Sequence, residues 1–360
     1  MPRSGPGHGQ AGGARTGRRK LAASRARPAI LTAVVAIALA VTYVLVHHSG
    51  GTAGPAKLRT PDLRALPVNR HEPAIPARGA YFGAWVRQGA YNQPEQIAAL
   101  DTLQGALGRR LDIVHSYLVW RGKFPTTSDS VAVSQGSTLL VSWTGTDSSA
   151  VNSGNADRAI RQLARQIKAF GKPIFLEWRW EMDRPNLRAV VGTPEEFIAA
   201  WKHVRAIFAQ QHVRNAAWVW CPTAKGFAPG GNAAAYYPGN AEVDWVCADA
   251  YPGFGPYRSF ADTAQPFLSW ASHHPKPVMI GEYGVQESYG PQQRAQWLRA
   301  AAKTVQDDPQ IKALVYFDAN TAGAVAGDAM ALGFGTAPMQ AFREIADSPY
   351  FNPRGLRVSG

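Results

Sequence analysis

The chain has 360 residues, and its 38 Lys and Arg outnumber 25 Asp and Glu to give a formal net charge of +13. Nine of those basic residues and none of the acids lie in residues 1–60, so the remainder is nearly balanced at 29 against 25, which excludes a nucleic-acid-binding surface as the meaning of the charge. Cys221 and Cys247 are the only cysteines, too few for a disulfide framework or a cysteine-built metal cluster.

Residues 1–28 are rich in Gly, Arg and Ala without apolar periodicity and read as a disordered, basic cytoplasmic tail. The run AILTAVVAIALAVTYVLV at 29–46 carries no charge and is just long enough to cross a bilayer. Seven Lys and Arg precede it, so the positive-inside rule keeps the N-terminus cytoplasmic and exports the bulk of the chain. The expected arrangement is a single transmembrane signal anchor in the cell membrane with the folded domain outside. A cleaved signal peptide, giving a secreted protein, is the competing reading. Residues 47–77 are Pro- and Gly-rich and suit a linker, which leaves 78–350 for the folded domain.

From Ala80 onward, short apolar or aromatic runs alternate with longer segments of helical period. The runs predict strands at 81–86, 111–120, 138–145, 173–181, 216–222, 243–251, 277–284 and 312–320. Helical patterns lie between them, as at 155–170 and 193–211, the second opening on a capping box of Thr193 and Glu196. Eight such units close a (β/α)8 TIM barrel. An open doubly wound sheet would carry a glycine-rich phosphate turn after its first strand, and FGAWVRQGAYNQ does not supply one. The fold expected is therefore a TIM barrel preceded by a single N-terminal transmembrane helix.

Barrel enzymes place their chemistry at the C-terminal ends of the strands. Those ends hold Trp120, Trp143, Glu181, Trp220, Asp249, Tyr251, Glu282, Tyr283, Phe317 and Asp318. Glycosidic hydrolysis needs one carboxyl to protonate the departing oxygen and another to meet the oxocarbenium-like carbon. Glu181 and Glu282 end the fourth and seventh predicted strands, which face each other across a barrel mouth. Alternation in IFLEWRWE puts Glu177 and Arg179 on one face, an inward ion pair beneath Glu181, with Glu177 structural. Trp85, Trp143 and Trp220 are candidate stacking platforms for sugar rings, and Asp183 and Asp249 candidate hydrogen-bond partners for hydroxyls; core packing and loop anchoring are the competing roles. His115 reads as a satisfied interior residue, and no two histidines have metal-ligand spacing with a carboxylate. Export would permit one bridge between Cys221 and Cys247, whereas alternation from the candidate site residues puts Cys221 outward and Cys247 inward and argues against it.

The segments KPIFLEWRWEMDRPN, AAWVWCPT, YYPGNAEVDWVCADAYPG and KPVMIGEYG, taken in order, resemble the strand-end motifs of glycoside hydrolase family 26, the β-mannanase family of the large retaining barrel clan. The resemblance covers about residues 80–350. It implies Glu181 in WEMD as acid/base, Glu282 in GEYG as nucleophile, and Tyr251 in DAY as the hydroxyl that orients the nucleophile. It further implies a retaining endo-acting cut in a β-1,4-mannan-type polysaccharide, with no metal or organic cofactor. Arg179 and Tyr283 join Trp85, Trp143, Asp183, Trp220 and Asp249 as substrate-binding candidates. Three positions depart from the family pattern: Trp180 stands where His is usual, Glu177 where Arg is usual, and Phe317 with Asp318 where a strand-eight Trp is usual. These departures bear on which polysaccharide is cut, so a β-glucan, a xylan or an envelope polysaccharide stays open, as does a barrel that binds glycan without cutting it.

Overall fold

A computed structural model describes residues 61–358 except 64–65, 67–68, 88, 254 and 320–329. The expected basic tail, the apolar segment 29–46 and the linker up to residue 60 lie outside the described residues. Among the described residues, no helix is long and apolar enough to cross a membrane.

All eight predicted strands are present: β1 Tyr81–Val86, β2 Ile113–Leu118, β3 Thr138–Trp143, β4 Ile174–Trp178, β5 Ala216–Trp220, β6 Trp245–Ala250, β7 Val278–Tyr283 and β8 Ile311–Asp318. They pair in parallel and in sequence order, and β8 returns to β1 to close the barrel. Closure is tight, with six residues of β1 in register with Ala313–Asp318.

Two apolar clusters follow from strand alternation. Tyr81, Ile113, Leu140, Phe175, Val219, Trp245, Met279 and Val315 fill the interior, while their neighbours along each strand face the surrounding helices. The helix Asp157–Phe170 shows how the outer layer forms. Ile160, Leu163, Ala164 and Ile167 share one buried stripe, and Gly171 ends the helix in the left-handed conformation at φ 67. Burying each Ile or Leu of that stripe contributes about 1.5–3 kcal/mol. The helix Pro194–Gln210 opens on the expected capping box, with reciprocal bonds between Thr193 and Glu196. At the N-terminal end of the barrel, Ile75 packs against the interior cluster and Tyr81 donates to the carbonyl of Ala74 at 2.7 Å, so the end of the Pro-rich stretch closes that end.

Candidate active site

Glu282 owes its direction to a bulge. The β6–β7 register runs Ala248 to Ile280 and then Asp249 to Glu282, leaving Gly281 as an extra residue in β7. Both Gly281 and Glu282 thereby face the interior. Only glycine fits at 281, because a Cβ there would lie 2.5 Å from Cys247 Sγ and 3.0 Å from Cys221 Sγ. Each oxygen of the Glu282 carboxyl meets a phenol. Tyr251 donates to Oε2 at 2.6 Å, and Tyr117 makes a short bond to Oε1. Burial raises the Glu282 carboxyl to about 7, with the charge of Glu181 pushing the same way and the two tyrosines opposing. Both phenols are themselves pushed far up by burial and by Glu282, so they remain donors.

Glu181 lies just beyond β4, which ends at Trp178, three residues short of the predicted end. Arg179 and Glu181 both take left-handed backbone conformations, at φ 54 and φ 51, so the chain turns out of the strand and its alternation stops. The Glu181 amide donates to the carbonyl of Cys221 at 2.7 Å, which pins the turn to the end of β5. Its carboxyl accepts from Arg184 Nη1 at 2.5 Å. Burial raises the Glu181 carboxyl, and Arg184 pulls in the opposite direction. Among the charges acting on Glu282 that of Glu181 is the largest, so the two acids lie within electrostatic reach of each other.

Aromatic rings pack around Tyr117. Trp85 stacks on Phe317 with centroids 4.7 Å apart, and Tyr117 packs edgewise on Trp85 and against Trp180 at 5.3 Å.

Beneath the acids lies a buried polar layer. His115 Nε2 meets Ser142 Oγ at 2.6 Å, and Ser142 makes a short bond to Glu177. Burial lowers His115 to about 3, so the ring is neutral and interior as expected, but only its Nε2 is satisfied, Nδ1 being buried without a hydrogen-bond partner among the described residues. Asp249 Oδ1 lies 3.4 Å from Cys221 Sγ, and burial holds its carboxyl well above the usual range.

No family model matches the chain. Endoglucanase H of Acetivibrio thermocellus is 29% identical over 262 residues, which cover 67% of this chain and 28% of that protein. The β-1,3-xylanase TXYA of a Vibrio species is 28% identical over 142 residues, 38% of this chain and 28% of that one. The chain thus spans little more than a quarter of the length of these relatives. Among solved structures, an endo-β-1,4-mannanase of Cellulomonas fimi superposes with a TM-score of 0.55 at 18% identity, covering 76% of this chain and 71% of that one. A GH26 β-mannanase of Bacteroides ovatus gives 0.55 at 14%, covering 76% and 90%. The chain resembles glycoside hydrolase family 26. At these identities the structural likeness concerns the barrel, and the names span endoglucanase, xylanase and mannanase.

Of the residues predicted for the site, Glu282, Tyr251 and Trp85 gather around Tyr117 with Glu181 within electrostatic reach, and the rest lie elsewhere. Trp143 and Trp220 are fully buried on the outer side of the barrel, Trp143 stacked on Trp120 and Trp220 wedged among Phe227, Tyr237 and Trp270. Tyr283 likewise points outward, against Trp297, Phe260 and Tyr316. None of these three rings can stack on a sugar. Asp183 is a loop anchor, its two oxygens taken by the amide and hydroxyl of Thr223 at 2.9 and 2.5 Å. Asp249 is buried beside the Cys221 sulfur. Arg179 does not pair with Glu177; past the turn its guanidinium donates to the carbonyl of Thr146 at 2.7 Å.

Cys221 and Cys247 form a disulfide with Cα atoms 4.3 Å apart. Contrary to expectation both cysteines face the interior: Trp220 points outward, not into the site, so alternation along β5 turns Cys221 inward beside Cys247. Glu177, Asp249 and the two cysteines bring ligand atoms within 4.8 Å of one another, but the sulfurs are bonded to each other and leave two buried carboxyls. Tyr117 and Arg184 are the site residues that sequence reasoning missed. Tyr117 was within reach of it: two residues from the inward His115 on the same strand, it had to face inward too.

Proposed function

We propose that this chain is a retaining, endo-acting β-glycanase that cuts a β-linked polysaccharide through a covalent glycosyl-enzyme. Glu282 is the nucleophile, Glu181 the acid/base, and Tyr117 and Tyr251 hold the nucleophile in aim. The supporting observation is the Glu282 carboxyl clamped by two phenols, with a second acid near enough to act on its charge. In the first half-reaction the Glu181 proton passes to the glycosidic oxygen while Glu282 bonds to the anomeric carbon. In the second, Glu181 takes a proton from water as that water displaces Glu282. Trp85 and Phe317 form the face on which the sugar beside the cut rests.

β-1,4-Mannan is the first-choice backbone, by resemblance. A β-glucan is the second, favoured by the 29% identity to an endoglucanase over 67% of the chain. Attachment at the outer face of the membrane, or secretion after cleavage, rests on the charge-free run 29–46 and the basic residues before it. Incubating the full chain with mannans, glucans and xylans, with anomeric configuration followed early, should give products that retain the β configuration. Glu181→Gln and Glu282→Gln should each lower hydrolysis by about 10²–10⁴-fold or more. Undiminished cleavage by either folded variant would overturn the assignment.

A further inference from the structure

The ion pair on Glu181 poses a chemical problem. A general acid must carry its proton when the substrate arrives, yet a guanidinium in contact stabilises the ionised carboxylate. Arg184 Nη1 sits 2.5 Å from Glu181 Oε2 and is 49% exposed, so it is free to move toward solvent or toward a ligand. The adjacent Asp183 gives its two oxygens to Thr223 and acts on Arg184 only through space. That same clamp holds the turn Ala224–Phe227, which carries the exposed Lys225, a cation without an ion-pair partner among the described residues. Two cations, Arg184 and Lys225, thus lie on the loops that follow β4 and β5, and of the two only Arg184 has an acid paired with it among the described residues.

We infer that the leaving-group side of the site takes a carboxylate-bearing sugar, so that the substrate is an acidic β-glycan whose carboxylate draws Arg184 away from Glu181. The inference rests on the hydrolase reading above. A guanidinium matches a carboxylate bidentately, which makes Arg184 better suited to this task than a lysine. Once released, the buried Glu181 takes a proton from solvent and passes it to the glycosidic oxygen. The C1–O bond breaks as the bond from Glu282 to C1 forms. Water then gives its proton to Glu181 and its oxygen to C1, freeing Glu282. A neutral glycan leaves Arg184 on Glu181 and is cut slowly, because the acid is ionised over more of the pH range.

The test compares the full chain with Arg184→Met and Arg184→Lys on mannan and glucan, each unmodified and with part of its hydroxymethyl groups oxidised to carboxylates. For the parent, kcat/KM on an oxidised polymer should exceed that on the unmodified one by about tenfold or more, the scale of one charge-assisted contact. Arg184→Met should abolish that ratio and Arg184→Lys should restore part of it. On unmodified polymer the alkaline limb of the pH profile, set by loss of the Glu181 proton, should lie at higher pH in Arg184→Met than in the parent. Equal rates on both polymers, or an alkaline limb that Arg184→Met does not move, would overturn the inference. Binding keeps it separate from the hydrolase reading. With Glu282→Gln, oxidised oligosaccharides should bind more tightly than unmodified ones, and the added Arg184→Met change should remove the difference. Preferential binding without any cleavage by the parent would sink the hydrolase reading and keep the carboxylate site; equal binding would sink the site itself.

Discussion

At the scale of single residues, the Glu282 clamp sets the pH behaviour. The two phenols hold the carboxyl below where burial alone would put it, and the nucleophile must be ionised to act. Removing either hydroxyl should raise the Glu282 carboxyl and move the acid limb of kcat/KM to higher pH. A hydrogen bond to a charged group is worth about 1.5–3 kcal/mol, so Tyr117→Phe and Tyr251→Phe should each lower kcat/KM by about 10–150-fold at neutral pH. An acid limb left in place by both variants would show that the phenols do not tune the nucleophile. The same burial has a cost in stability. Glu282 is raised from 4.5 to about 7, so the folded state favours its protonated form. The stability this confers is fully present below pH 4.5 and is lost as pH rises through about 7, amounting to about 3 kcal/mol. Glu282→Gln, which keeps the uncharged shape, should match the parent in urea unfolding near pH 4 and exceed it by up to about that amount at pH 8. A pH-independent difference would refute the linkage. Glu181 and Glu282 were legible in the sequence because an acid closing an apolar run is conspicuous, whereas Tyr117 looks like any other aromatic of a buried strand.

Elements divide differently. Every strand was legible, because parallel strands covered on both faces read as continuous apolar runs. That continuity also hides which way each side chain points. Trp143, Trp220 and Tyr283 sit between barrel and helices in surroundings as apolar as the interior, so nothing in their sequence neighbours marks them as outward. Two local departures from regular strand geometry were equally silent: the left-handed turn at Arg179 and Glu181, and the extra residue Gly281. The bulge is the feature on which the site depends. Gly281→Ala would press a methyl group toward Cys247 Sγ at 2.5 Å and Asp249 Oδ1 at 3.1 Å, against a disulfide that cannot swing aside. Overpacking of this kind costs about 1–3 kcal/mol. The urea midpoint should fall accordingly, and hydrolysis should fall further than stability explains, because the adjacent Glu282 is displaced. A variant with parental midpoint and turnover would mean that the bulge relaxes without moving the nucleophile.

For the barrel as a whole, the end opposite the acids carries the closure. Arg109, buried, pairs with Asp112 at 2.8 Å and donates to the carbonyls of Phe351 and Ala346 at 2.6 and 3.2 Å. Asp112 in turn accepts from the Phe82 amide at 3.2 Å, and the Ala80 amide donates to the carbonyl of Tyr350 at 2.9 Å. One guanidinium thus ties the entry to β2, the backbone of β1 and the last helical turns of the domain across 242 positions of sequence. This seam is invisible to strand counting, since its parts are remote in sequence and three of its acceptors are backbone carbonyls. Arg109→Met should leave Asp112 buried without its cation, at a cost of about 3–5 kcal/mol. For a domain of this size each kcal/mol moves Tm by about 2–4 °C, so the midpoint should drop by roughly 6–20 °C. The drop should come in a single transition, because the seam joins the first strand to the last helical turns and its loss frees both ends of the domain at once. The pH profile of hydrolysis should be unchanged at temperatures where the variant is folded, because Arg109 lies at the N-terminal end of the strands and Glu282 at the C-terminal end. Calorimetry that resolved an early melt of the last helix, with the barrel persisting above it, would instead make the C-terminal segment an appendage to a ring already closed by the pairing of β1 with β8.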